Sequence, residues 1–257
     1  MKLGKYEIDK IYNEDCYQAI KNIPDKSIDL VYVDIPYEVV VSGGGIISKK
    51  MNSVSYNRLK KETSTICSGI DYSILDEYVR VLRSIYIYIW CSKQQVFDLM
   101  KFFIEKHHCY YNILFLAKQN FLPIGNSSFM SDKEICLCFY EDTKKFNQGY
   151  ENKFSWYLGS TQDSRKISCD FYHPTIKPLE FVKQNILNVT QEGDIVLDTF
   201  MGSGTTAIAC RDTNRHFLGF EINKEYWKTA CNRLINKTRD DIEKEKKGYM
   251  SLLEEEN

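Results

Sequence analysis

Apolar residues along this chain follow two alternating patterns. Short runs rich in β-branched and aromatic residues predict strands at 28–33, 84–91, 110–116, 134–140, 194–199 and 215–221. Apolar positions three and four apart predict helices at 72–83, 93–107, 178–189, 204–212 and 223–237. Strand and helix in alternation predict a doubly wound α/β fold around a mostly parallel sheet. A chain of 257 residues with 43% hydrophobic content is enough for one such domain carrying an insertion. In the last helix Asn223 reads as the N-cap, with Ile222, Tyr226, Ala230 and Leu234 at helical spacing as core positions.

Two stretches break the alternation. Residues 38–70 are polar, contain Gly43, Gly44 and Gly45, and carry five basic residues (Lys49, Lys50, Arg58, Lys60, Lys61) against two acidic ones. A loop of that length inside a domain is usually functional or disordered, and its basic residues could meet phosphates. Residues 118–172, apart from the strand at 134–140, mix Lys, Asn, Gln and Ser with aromatics such as Phe121, Phe129, Phe154 and Trp156, and read as a variable polar insertion.

The turn after the strand at 194–199 carries candidate chemistry. Asp194-Ile-Val-Leu-Asp198 reads as a buried strand and Gly204-Thr-Thr-Ala-Ile-Ala-Cys210 as the helix after it, joined through Phe200, Gly202 and Ser203. A glycine turn lets a ligand approach the backbone and leaves helix N-terminal N–H groups pointing at it, as in nucleotide-type cofactor sites. Gly202-x-Gly204-x-x-Ala207, with Glu221 19 residues past Gly202, also fits a dinucleotide fingerprint. Asp198 opposes that reading, because it stands where a pyrophosphate would lie and would repel it. S-adenosylmethionine has no phosphate, and its amine and sulfonium are cationic. A carboxylate favours it, and Glu221 is placed to accept from ribose hydroxyls. A P-loop is excluded, since no Gly-Lys-Ser/Thr follows.

Upstream, Ser27-Ile-Asp-Leu-Val-Tyr-Val33 reads as a buried strand that Pro36 stops, so Asp34 and Tyr37 project from its end. Ligands of open α/β sheets bind beyond the carboxyl ends of strands at the switch point, so the two segments converge if their strands are neighbours there.

Taken together these segments resemble the S-adenosylmethionine-dependent DNA amino-methyltransferases of the permuted (beta) arrangement. In that family a DPPY-type tetrapeptide precedes an FxGxG cofactor loop. Here the tetrapeptide is Asp34-Ile35-Pro36-Tyr37 and the loop is Phe200-Met-Gly202-Ser-Gly204. The opening from Asn13 to Leu30, His173-Pro-Thr-Ile-Lys177-Pro178 and Gly219-Phe-Glu221-Ile-Asn resemble three further family segments in the family's order. The resemblance implies a Rossmann-like methyltransferase sheet with circularly permuted motif order and a small recognition insertion at 118–172. It implies S-adenosylmethionine as cofactor, no metal, and double-stranded DNA as partner. It also implies cofactor contacts from Asp198, Phe200, Gly202, Ser203, Gly204, Thr205 and Glu221, a methionine-carboxylate site at Thr175 and Lys177, and an adenine contact at Asp15. For Asp15 a helix N-cap is the competing reading. One departure stands out: Ile35 replaces the family's first proline, whose role uses a backbone carbonyl that isoleucine also supplies.

The chemistry follows from the substrate. An exocyclic amine on a nucleobase is a poor nucleophile because its lone pair is delocalised into the ring. Accepting both its N–H hydrogens localises that pair, and the Asp34 carboxylate and Ile35 carbonyl can do so while Tyr37 offers a face for stacking. A base within a duplex must first be extruded. Aspartate at position 34 favours adenine by the family's habit. Cytosine, RNA or a protein glutamine as acceptor, and a catalytically silent cofactor- or DNA-binding module, stand as alternatives. A homodimer and a cognate restriction endonuclease are partners that the resemblance leaves open.

Composition changes this picture little. A net charge of −1 counts slightly against a nucleic-acid partner, though six acidic residues against three basic ones in 241–257 leave the rest with 31 basic and 29 acidic. Nine cysteines without a Cys-x-x-Cys read as reduced, buried thiols, and Cys136-x-Cys138 as two side chains on one strand face. His107 and His108 read as surface or packing residues at a helix end. No apolar run approaches about 18 residues and the N-terminus lacks a signal core, so a cytoplasmic protein without a membrane span is expected.

Overall fold

Six apolar runs form strands where the pattern puts them. The computed structural model describes residues 1–38, 69–118, 132–142, 146, 153–159 and 176–235. Strands β1 (Lys2–Leu3) and β2 (Tyr6–Glu7) pair antiparallel, and β3 (Lys10–Tyr12) leads into a one-turn helix, α1 (Cys16–Ala19). There follow β4 (Leu30–Asp34), α2 (Ile74–Val81), β5 (Tyr86–Cys91), α3 (Val96–Met100), β6 (Tyr110–Lys118), β7 (Lys133–Tyr140) and β8 (Trp156–Gly159). The chain ends on α4 (Leu179–Val189), β9 (Ile195–Asp198), α5 (Thr205–Asp212), β10 (His216–Phe220) and α6 (Lys224–Ile235).

Eight strands share one sheet in the order β3-β10-β9-β4-β5-β7-β6-β8. Only β7 is reversed, antiparallel to both β5 and β6. Alternation along each strand sorts side chains between two cores. Val31, Val33, Ile87, Ile89, Leu137, Phe139 and Leu197 face one core, packed with Leu75 and Tyr78 of α2 and Leu99 of α3. Leu30, Tyr32, Tyr88, Trp90, Cys136, Cys138, Leu116 and Val196 face the other, where α4, α5 and α6 contribute Phe181, Ile186, Ala207 and Ala230. Fully burying one such side chain stabilises the fold by about 1.5–3 kcal/mol. The same parity continues into charge: Asp34, Asp198, Lys118 and, because β7 runs backwards, Glu134 stand on this second face at one end of the sheet.

Three details depart from the sequence expectation. The helix expected at 93–107 begins at Val96, because Ser92 and Gln95 form a turn in which the Gln95 side-chain oxygen accepts from the Ser92 N–H at 2.9 Å. Past Met100 it widens into a π-helix over Lys101–Lys106. Asn223 does cap α6, accepting from the Glu225 and Tyr226 N–H groups, and Tyr226 and Ala230 are buried. Ile222, however, lies outside the helix and is 67% exposed, so it is no core residue. The strands β1, β2, β3 and β8 and the helix α1 have two to four residues each, too few for periodicity to register.

Candidate active site

Strands β4 and β9 are parallel neighbours, with Val31 opposite Leu197. Their carboxyl ends therefore bring the tetrapeptide and the glycine loop together, as the switch-point argument requires.

On the β9 side the carboxylates are turned to the chain itself. Asp198 is 3% exposed. One of its oxygens accepts from the Thr206 hydroxyl at 2.6 Å and the other from the Phe200 N–H at 3.0 Å. Burial raises its carboxyl to about 7. Glu221, past the end of β10, accepts from the Gly202 and Asn223 N–H groups, each at 2.8 Å, and burial raises it as well. Gly204 has φ 81°, and a Cβ there would lie 3.0 Å from Ala230 of α6. That glycine thus serves the turn and the helix packing at once. Ser203 and Thr205 are buried, and the Arg233 guanidinium donates to the Ser203 carbonyl at 2.5 Å and the Thr205 hydroxyl at 3.2 Å. The Phe200 ring meets Tyr17 edge-on at 6.4 Å. Asp15, beside it in sequence, caps α1 by accepting from the Tyr17 N–H at 2.8 Å.

On the β4 side a carboxylate is only half used. The Lys177 ammonium lies 2.5 Å from Asp34 Oδ2 and 3.0 Å from Glu134 Oε2, and donates to the Tyr37 hydroxyl at 3.3 Å. The Trp90 ring lies beneath it at 5.0 Å. Asp34 Oδ1 is buried and has no hydrogen-bond partner among the described residues. Glu134 is also bound by Lys118 at 2.7 Å. Burial pushes the Asp34 carboxyl up while Lys177 pulls it back. For Glu134 burial works in the same direction, but Lys177 and Lys118 outweigh it and hold the carboxyl at about 2. Burial disfavours the Lys177 ammonium, and Asp34 and Glu134 overcome this to raise it well above the usual lysine range.

The tetrapeptide backbone is fixed from β5 and the turn before α3. Ile35 donates its N–H to the Trp90 carbonyl at 3.2 Å, a bond that proline could not make, and its side chain is 1% exposed in the first core. The Pro36 carbonyl accepts from the fully buried Gln95 amide at 2.9 Å. A small cavity of about 40 Å³ separates the two sides, lined by Tyr32, Asp34, Trp90, Lys177, Phe200 and Thr206 among others.

The structure thus gathers Asp34, Tyr37, Lys177, Asp198, Phe200, Gly202, Ser203 and Thr205 at one place. Thr175, residues 39–68 and most of 118–172 lie outside the described residues. Within the insertion, Trp156–Gly159 adds an edge strand to the main sheet. Glu134, Lys118 and Gln95 belong to the site although nothing in their local sequence marks them. Only the reversal of β7 and the turn before α3 bring them there. The seven described cysteines are free thiols, six of them buried, with Cys136 and Cys138 on one face. Among the described residues no helix is long and apolar enough to cross a membrane.

A glycine loop beside an acidic acceptor, at the switch point of a doubly wound sheet, defines an S-adenosylmethionine-dependent methyltransferase. The family model described as DNA methylase, covering amino-methylating enzymes, matches residues 28–232, and the chain belongs to this family of DNA amino-methyltransferases. That membership sets the dinucleotide reading aside. The chain is 26% identical over 243 residues to the type II methyltransferase M2.LlaDCHI of Lactococcus lactis subsp. cremoris, covering 87% of this chain and 88% of the relative. It is 29% identical over 249 residues to the DNA adenine methyltransferase YhdJ of Escherichia coli, covering 89% and 83%. In fold it is similar to M1.HpyAVI bound to S-adenosylmethionine, with a TM-score of 0.62 and 24% identity over 88% of this chain and 99% of that one. The cytosine-N4-specific PvuII methyltransferase shares the fold at a TM-score of 0.60 and 15% identity, covering 94% and 93%.

Proposed function

We propose that this enzyme methylates the exocyclic amine of adenine in double-stranded DNA, with Asp34, Ile35, Pro36 and Tyr37 as its acceptor site. The observation that carries this reading is the unequal use of Asp34: Oδ2 is ion-paired to Lys177, while Oδ1, beside the cofactor loop, is buried with no hydrogen-bond partner among the described residues. A buried acceptor left unmade costs about 1–3 kcal/mol, a cost that an incoming N–H removes. An amine meets that need, and the Ile35 carbonyl takes its second hydrogen. Tyr37, held by Lys177 at 3.3 Å, presents its ring to the extruded base.

The loop side fits the cofactor, since Asp198 and Glu221 place two carboxylates where a cationic ligand gains from them. When bound, S-adenosylmethionine supplies an electrophilic methyl group on its sulfonium. Gly202, Ser203, Gly204, Thr205 and Phe200 would shape its seat. Glu221 would add a ribose hydroxyl to its two backbone donors, and Asp15 and Thr175 would contact the adenine and the methionine carboxylate. Lys177 joins the acceptor side through Asp34, and the same ammonium would attract that carboxylate.

Aspartate at position 34 and the likeness to a relative named as a DNA adenine methyltransferase support adenine over cytosine. Several relatives are named as type II methyltransferases, which supports the modification half of a restriction-modification pair with a cognate endonuclease. Exposed Trp156 and Leu158 of the edge strand β8, with exposed Phe154 just before it, support self-association as a homodimer. The deciding experiment incubates duplex DNA with enzyme and methyl-labelled S-adenosylmethionine and digests the product to nucleosides. The label is expected on the amine of methyladenosine. Label on cytosine would replace the adenine reading, and label confined to added RNA or protein would overturn DNA as substrate.

A further inference from the structure

We infer that Glu134 and Lys118 are positioning residues for methyl transfer, acting through Lys177 to keep one Asp34 oxygen committed and the other open. The inference deepens the reading of Asp34 given above and rests on it.

Sheet register assembles three of the four groups, and Lys177 reaches them from the segment before α4. Asp34 stands opposite Trp90, Trp90 opposite Cys136, and Leu116 opposite Glu134, so the charged residues occupy neighbouring rows on one face. An ammonium has three N–H donors on a flexible stem. Facing Asp34 alone, it could pivot to either carboxylate oxygen. Here it donates to Asp34 Oδ2 and the Tyr37 hydroxyl and is ion-paired with Glu134 Oε2 at 3.0 Å, above the Trp90 ring. Glu134 belongs to a central strand and cannot follow a pivot, so it fixes Lys177 from the far side.

Glu134 by itself would bring a second negative charge toward Asp34. Lys118 at 2.7 Å answers it, leaving two anions and two cations in the cluster. The remaining groups that interact with Asp34 or sense its charge are Tyr37, Asp198, Cys91 and Cys136. None of them is altered by changes at 118 or 134. The sign of each perturbation follows. Glu134→Gln removes an anion and favours ionised Asp34, whereas Lys118→Met removes a cation and disfavours it.

The test measures kcat against pH at saturating S-adenosylmethionine and DNA, together with a carbon-13 titration of the Asp34 carboxyl that needs no turnover. Glu134→Gln is expected to move the Asp34 titration and the acidic limb of kcat to lower pH, and Lys118→Met to higher pH, each on the order of half a unit to one unit. In both variants kcat should fall about tenfold with KM for the cofactor unchanged, as expected for lost orientation. Lys118→Arg should restore the limb, and Glu134→Asp should keep the limb while lowering kcat. Unshifted or parallel Asp34 titrations in the two charge-removing variants would overturn the inference. A wild-type enzyme that leaves every DNA amine unlabelled would instead overturn the functional reading, and the carbon-13 titration would still decide the positioning role.

Discussion

Asp34 and Asp198 close adjacent parallel strands on the same face of one sheet, yet they are treated in opposite ways. Asp198 has a donor on each oxygen, one from the loop and one from the first turn of α5, whereas Asp34 has an ammonium on one oxygen and, among the described residues, no hydrogen-bond partner on the other. Asp198 is held in place by the chain and meets a ligand through its charge. Asp34 keeps an oxygen for a ligand's hydrogen. The contrast separates scaffold from chemistry more sharply than the shared residue type does.

Removing the ligand-facing carboxylate should have the largest effect. Asp34→Ala is expected to lower kcat by on the order of 10²–10³-fold while calorimetry shows cofactor binding intact. Equal turnover in the variant would erase the contrast. Thr206→Val strikes the other carboxylate by removing its hydroxyl donor in the interior, and should lower stability by about 1–3 kcal/mol, read as a drop in Tm. Turnover at saturating cofactor should change little.

The third expectation concerns pH. Because burial raises Asp198 to about 7, the folded chain holds a proton there that the unfolded chain has released. Its contribution to stability is therefore complete below the ordinary carboxylate value and is lost as pH rises through about 7. A cationic ligand favours the ionised form. Cofactor affinity should accordingly rise by up to about tenfold between about pH 6 and 8, and Asp198→Asn should flatten that rise in calorimetric titrations. The smallest effect is expected from Ile35→Pro, which restores the family's tetrapeptide but gives up the N–H bond to Trp90 and part of a buried side chain. It should cost about 1–2 kcal/mol in stability with transfer largely kept.

The two sides of the site were not equally legible in the sequence. Asp34-Ile-Pro-Tyr37 and the Gly202 loop were readable because strand, breaker and glycine lie within a few residues of the chemistry. Their convergence was readable because parallel neighbours share their carboxyl ends. Glu134 was not, since its strand carries only an alternating apolar pattern, and direction within a sheet is set by distant pairing. Gln95 was hidden for a related reason. A helical period runs through 93–107, and only the turn at Ser92 shows that this side chain leaves the helix to hold the Pro36 carbonyl. For Asp198 and Glu221 the residue types were legible, but their backbone partners depend on how the loop folds over them. For Asp15 the N-cap stood as the competing reading to an adenine contact, and the cap is the role that its bond to the Tyr17 N–H displays.

The reversal of β7 has a topological consequence. The chain leaves β6 at Lys118 and re-enters β7 at Lys133, both at the catalytic rim, and the Lys118–Glu134 pair bridges the gap. An ion pair thus pins two antiparallel strand ends beside the acceptor site, as a clasp closes a necklace, and ties the register of the outer strands to the charge of the catalytic cluster.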